Sequence, residues 1–452
     1  MKYLYKTIIV LTVVFTSCSI SSPSDYNPEQ PAEGDDGSAI TGTGDIINCL
    51  FIENNATYID IDEEDTITSI SDLKVDDVFT STTFGKENYR DELPLLISTS
   101  ISNLELNTAL PTFFETPTYV GAFGTSPSKD WYTNSNWFLI DPSTKTYNYN
   151  ENEAIKITGE ITNDITLFAD KQYLLVGQVF VKEGSTVTIE AGTVIFGSGR
   201  TGGTEPGVLI INRGAKILAE GTPDKPIVFT STKPVGQRDR GDWGGLVLLG
   251  RAPNNKGDDV TIEGIDATGG NGQYGGNDPH DNSGTLKFVR IEYAGIALSP
   301  GNEINTLTLG SIGDQTQIDH IITSFAGDDA YEWFGGNVNL HHIVAYNTLD
   351  DDFDTDAGYS GNVQFAYVLR NELAADISGS KCFESTTSKN AGATPITSCT
   401  FSNVTAVGSL YLADGSEMYD PQFQNGIKAS NFSNITLTNS IVLGCPIGAQ
   451  NY

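Results

Sequence analysis

Two stretches of the chain set histidines and acids at a step of 22 residues. The first is His320-Ile321-Ile322 followed by Asp328-Asp329-Ala330-Tyr331-Glu332, and the second is His342-Ile343-Val344 followed by Asp350-Asp351-Asp352-Phe353-Asp354. A recurrence of this length marks a solenoid, in which each repeat is one coil stacked on the last. Stacked strands lie about 4.8 Å apart, so matching carboxylates become neighbours. Two unit charges about 5 Å apart repel by roughly 3 kcal/mol at an effective dielectric near 20. Either some of these acids keep their protons or a cation joins them.

Between Arg290 and Arg370 there are twelve carboxylates and no Lys or Arg. Strand alternation places Asp328, Glu332, Asp350, Asp352 and Asp354 on one outward face. Asp329, Tyr331 and Trp333 share the other face with Asp351 and Phe353, and Tyr331 and Phe353 form an inward aromatic pair. The five outward acids are the expected ligands of a cation, and Ca2+ suits them because it takes six to eight oxygens in flexible geometry. The competing readings are solvated or turn-capping acids and, third, catalytic carboxylates. His320 and His342 stack one coil apart, as a polar ladder or as transition-metal ligands. His280 and His341 have no evident partner in the sequence. Trp333, Phe334, Tyr346 and Tyr359 lie beside the acids and could stack on sugar rings.

The elements that position these residues are short strands with Gly corners. Val179 to Thr193 and Leu209 to Thr222 share one pattern, with turns at Gly184 and Gly214 and closing Gly192-Thr193 and Gly221-Thr222. Phe401-Ser402-Asn403-Val404-Thr405 recurs as Phe432-Ser433-Asn434-Ile435-Thr436, which predicts that Asn403 and Asn434 stack at a coil corner. Sequence-similar coils argue for a parallel β-helix over a sandwich, because a sandwich has no reason to repeat its strands. The fold class is all-β, a parallel β-helix over residues 151–452, preceded at 46–150 by a β-rich or capping segment. That segment holds an acidic run at 60–65 and an aromatic cluster of Phe113, Phe114, Tyr119, Phe123, Trp131, Trp137 and Phe138.

The chain has 452 residues, a net charge of −33 and 47 glycines. No basic patch exists, which argues against nucleic acid. Lys2 and Lys6 precede a short apolar run from Ile8 to Phe15, too short to span a bilayer. Phe15-Thr16-Ser17-Cys18 resembles the lipobox of bacterial lipoproteins. The resemblance implies a signal peptide at 1–17, lipid on Cys18 and anchorage at the outer membrane, on its periplasmic face or on the cell surface. Residues 18–45 read as a flexible tether. Cys49, Cys382, Cys399 and Cys445 lack metal-ligand spacing. Pairing of Cys382 with Cys399 is one option, and burial of both as small hydrophobes is the favoured one.

The stretch from Gly177 to Phe365 resembles a family of bacterial secreted and lipoprotein β-helix proteins. The resemblance rests on the two Gly-Thr coils, Pro226-Ile227-Val228-Phe229-Thr230, Gly241-Asp242-Trp243-Gly244-Gly245, Tyr274-Gly275-Gly276, Arg290-Ile291-Glu292-Tyr293-Ala294-Gly295 and Asp328 through Gly336. It implies the right-handed parallel β-helix and no established activity. In that family the segment with Phe113-Phe114 and Trp131 follows the β-helix, whereas here it precedes it.

Two functions compete on these residues. One is an envelope binding or structural protein that presents a cation- and glycan-binding flank. The other is a polysaccharide lyase or glycoside hydrolase that uses carboxylates of the acidic belt.

Overall fold

The structure, a computed structural model, describes residues 43–47, 49–52, 56–59, 106, 108–116, 118–124, 131–133, 135–200, 205–299, 302–371, 373–409 and 419–451. The signal-like segment, Cys18, most of the tether and the acidic run at 60–65 lie outside the described residues. Among the described residues no helix is long and apolar enough to cross a membrane.

Among the described residues, twenty-five strands join one continuous sheet whose pairings are all parallel. Successive coils stack in register, so the sheet closes into a right-handed parallel β-helix with up to three strand columns. One column runs Leu286, Ile318, Leu340, Val363, Phe401 and Leu437. Another runs Leu246, Leu307, Tyr331, Phe353, Phe383 and Ile427. The 22-residue step is one full coil here, with Tyr331 on Phe353 and Glu332 on Asp354. Every second side chain points inward and fills the bore, which removes apolar surface from water at about 25 cal/mol per Å2. Tyr331, Trp333, Phe353 and Phe383 are all fully buried in that bore. The Tyr331 and Phe353 rings lie 5.5 Å apart.

A ladder of left-handed residues forms one corner. Phe288, His320, His342, Phe365, Asn403 and Asn439 occupy equivalent places, with φ between 48° and 60°. Such values are costly for bulky side chains and persist only where neighbours over-determine them. Stacking supplies that constraint, since His320 lies 4.3 Å from both Phe288 and His342. Asn403 therefore stacks under Asn439, not under Asn434. Thr400 pairs with Thr436 and Phe401 with Leu437, so this coil spans 36 residues, and Phe432-Ser433-Asn434 sits at a different corner.

The segment before the solenoid splits into two parts. Strands Thr43–Ile47, Leu50–Ile52 and Ala56–Ile59 pair in parallel with Asn434–Thr438, Ile441–Leu443 and Ile447–Asn451. They add one more coil to the C-terminal edge, which would otherwise present unpaired backbone groups. Residues 118–124, 131–133 and 135–150 form a strap that runs back along the outside. Gly121 donates its N–H to the Asn439 carbonyl at 2.8 Å, and Trp137 Nε1 to the Val289 carbonyl at 3.1 Å. Further down, the Tyr147 hydroxyl donates to Glu292 at 2.6 Å. Val120, Phe123, Trp137 and Ile140 bury themselves against Ile322, Val344, Tyr367 and Ile441. The aromatic cluster thus covers the flank of the solenoid. Cys49, Cys382, Cys399 and Cys445 are buried, and none of them forms a disulfide among the described residues.

Candidate functional site

The acids gather where one strand column meets the corner before it. Asn305, Asp329, Asp351 and Lys381 stand two residues ahead of Leu307, Tyr331, Phe353 and Phe383, and so stack coil on coil. Their side chains cap the next coil up. The Asn305 Oδ1 accepts from the Asp329 N–H at 3.2 Å, the Asp329 Oδ1 from the Asp351 N–H at 2.8 Å, and the Asp351 Oδ1 from the Lys381 N–H at 2.6 Å. One step past the aromatic column, Glu332, Asp354, Glu384 and Lys428 form a parallel file.

Two groups of carboxylate oxygens converge from these files, with Asp329 common to both. Asp328, Asp329 and Asp350 form one, and Asp329, Glu332 and Asp354 the other; in each, one oxygen per residue lies within 4.8 Å of the rest. Oxygens that share a Ca2+ ion at 2.3–2.6 Å lie within about 5 Å of one another, so the donor set fits that ion. Oδ2 of Asp328, Oδ1 of Asp350 and Oδ1 of Asp354 are buried with no hydrogen-bond partner. Asp328 as a whole is only 9 % exposed. A buried acceptor without a donor carries its full desolvation cost, which a cation would remove.

Burial, then mutual repulsion, pushes Asp328, Asp329, Glu332 and Asp354 well above the usual carboxylate range. Burial raises Asp350 to about 6, with Lys381 pulling against it. Glu263 and Glu303 join the cluster from chain excursions that sequence spacing does not connect to it. Burial and the charge of Glu303 raise Glu263 to about 7. Asn305 bridges, donating through Nδ2 to Glu332 and, at 3.4 Å, to Glu263.

Asp352 belongs elsewhere. It turns inward to Arg370, with Nη1 to Oδ2 at 2.8 Å and both side chains wholly buried. Strand parity does not extend through the corner, because strands begin only at Tyr331 and Phe353. Asp328 and Asp350 reach the cluster from corner positions, and Asp352, one residue before the strand, points into the bore. The fold also imports cations that the local sequence lacks. Lys381 Nζ lies 2.6 Å from Glu384 and 3.7 Å from Asp351, and Lys428 lies 3.2 Å from Glu384. Although burial pushes Glu384 up, these lysines hold it far below the usual range.

Two of the four expected sugar-stacking aromatics fill the bore instead. Trp333 and Tyr359 are fully buried and stack on each other at 5.3 Å. Tyr346 is buried, packing edge-on against Phe325. Phe334 is half-buried beside Tyr274, 6.1 Å away. The alternation that sends Tyr331 inward also sends Trp333 inward.

The histidines lie on a different corner, under the strap. His320 and His342 share the Asp319 carboxylate, which directly precedes His320 in sequence, at 2.7 and 2.9 Å from Oδ1. Burial works against ionisation of Asp319, but the two imidazoles hold it well below its ordinary value. His341 stacks on Phe113 at 4.2 Å, and burial lowers it to about 4. His280 pairs with Asp314 at 2.8 Å on the surface.

The architecture and its stacked acids define a closed parallel β-helix with a carboxylate-rich flank. Residues 159–449 match the family model of the pectate-lyase-like β-helix domain, and the chain belongs to that family. No curated protein and no solved structure matches the chain.

Proposed function

We propose that this protein is a cell-envelope binding protein whose acidic cluster holds Ca2+ and, through it, an acidic glycan. The reading rests on one observation: buried oxygens of Asp328, Asp350 and Asp354 without hydrogen-bond partners inside a group of converging carboxylates. Asp328, Asp329 and Asp350, or Asp329, Glu332 and Asp354, would hold the ion. Asp350 and Asp354 are half-buried, so the ion would keep positions open toward solvent. A bound Ca2+ would bridge sugar carboxylates to a flank that otherwise repels them. Lipid on Cys18 would hold the solenoid to the outer membrane behind its tether.

The second reading, a polysaccharide lyase or glycoside hydrolase, draws on the family description. A lyase needs a free Lys or Arg as base beside the ion. Arg370 and Lys381 are buried and engaged with Asp352, Asp351 and Glu384, which favours binding over elimination. Thermal unfolding with Ca2+ and with a chelator tests the cation, since a ligand of the native state raises stability with its free concentration. Retention on immobilised polyuronate in Ca2+ tests the glycan. No Ca2+-dependent shift would remove the basis of the binding reading, and new reducing or unsaturated ends from a polyuronate would favour the enzyme.

A further inference from the structure

We infer that Asp319, His320 and His342 form a site for a first-row divalent transition ion of the Zn2+ or Ni2+ kind, separate from the acidic cluster. Two imidazoles and one carboxylate bring their donor atoms within 4.8 Å of one another. The Asp319 Oδ1 lies 2.7 Å from His320 Nδ1 and 2.9 Å from His342 Nδ1. Donors on a tetrahedral Zn2+ ion with bonds near 2.1 Å stand about 3.4 Å apart, so each ring reaches ligand spacing by moving about 0.5–0.7 Å from the carboxylate oxygen. The contact to His342 has hydrogen-bond geometry. His320 Nδ1, although buried and only 2.7 Å away, has no hydrogen-bond partner. A shared cation would engage the lone pair of that nitrogen and of the His342 Nδ1 together.

The fold supplies the rest of the arrangement. Positive φ at both histidines turns their rings into one stack, 4.3 Å apart, so both Nδ1 atoms meet the same oxygen. Phe288 and Phe365 close the stack below and above, at 4.3 and 5.1 Å. Trp131 and Trp137 of the strap lie 5.2 Å from His342 and 5.1 Å from His320. Lys287 Nζ lies 3.9 Å from the other Asp319 oxygen, Oδ2, and orients the carboxylate from outside. Two His and one carboxylate select imidazole-seeking ions over Ca2+ and Mg2+. The strap aromatics provide the dry shell that strengthens such a site.

The test is a Zn2+ titration of the full chain at neutral pH, with excess Ca2+ present to occupy the acidic cluster. One Zn2+ per chain is expected, with affinity falling at least ~10-fold in His320→Gln and in Asp319→Asn. Ni2+ should quench the emission of Trp131 and Trp137, and Trp131→Phe should diminish that quenching by about half. Absence of binding by the wild-type chain overturns the assignment, as does unchanged affinity in both variants. If circular dichroism shows either variant unfolded, the Ni2+ experiment on Trp131→Phe decides, and undiminished quenching overturns the site.

Discussion

Lys381 touches the Asp351 carboxylate twice: its backbone N–H donates to Oδ1 at 2.6 Å, and its ammonium lies 3.7 Å from Oδ2. It also reaches Glu384 at 2.6 Å, and so closes the acidic stack with a buried positive charge. Burial disfavours the ammonium, yet Asp351 and Glu384 raise its pKa far above the ordinary lysine value. Removing one partner of a buried pair leaves the other uncompensated, at a cost of about 3–5 kcal/mol. Lys381→Met should therefore lower the unfolding midpoint sharply in chelator, and Lys381→Met with Asp351→Asn should recover part of the loss. A midpoint near wild type for the single variant would show that Lys381 does not neutralise the stack.

The acid cluster predicts an unusual pH dependence. Its carboxylates have folded-state pKa values above the ordinary value near 4, with Asp350 at about 6 and Glu263 at about 7. The native state then binds more protons than the unfolded chain. The resulting stability is complete below about pH 4 and is lost as pH rises through 6 to 7. His320 and His341 are lowered by burial and act in the opposite sense, but only below about pH 6.5. In chelator the melting temperature should fall as pH rises through about 6 to 7, and saturating Ca2+ should flatten that fall. A flat profile in chelator would mean that the acids do not repel one another in the native state.

Asp350 and Asp352 are two residues apart and should respond oppositely. Asp350→Asn removes repulsion, so the chain in chelator should hold or gain stability while its Ca2+ response shrinks. Asp352→Asn strips the buried Arg370 of its counter-charge and should cost about 3–5 kcal/mol with the Ca2+ response kept. Denaturant melts of both variants, with and without Ca2+, check this, and equal behaviour of the two would refute the division.

The strap depends on Trp137, which is fully buried and bonded to the Val289 carbonyl at 3.1 Å. Trp137→Ala should cost about 3–5 kcal/mol and open the strap to protease ahead of the solenoid. Simultaneous cleavage of strap and solenoid would show that the two unfold as one unit.

Much of the fold was legible because a coil repeats its own sequence. The 22-residue step placed Tyr331 on Phe353, Glu332 on Asp354 and His320 under His342, since each coil must match the one it stacks on. The Phe-Ser-Asn recurrence, 31 residues on, misled at Asn403, because the coil there spans 36 residues and its true neighbour is Asn439, not Asn434. Strand alternation sent Tyr331 and Trp333 inward, but it could not assign Asp328, Asp350 or Asp352, because the backbone turns at the corner where they lie. Only the tertiary structure brought Lys381 and Arg370 into the acidic belt, Glu263 and Glu303 to its rim, and Trp131 over the histidines. Those contacts join segments up to hundreds of residues apart. Which of them meet depends on where each coil's excursion and the returning strap pass over the solenoid, a relation that no local pattern carries.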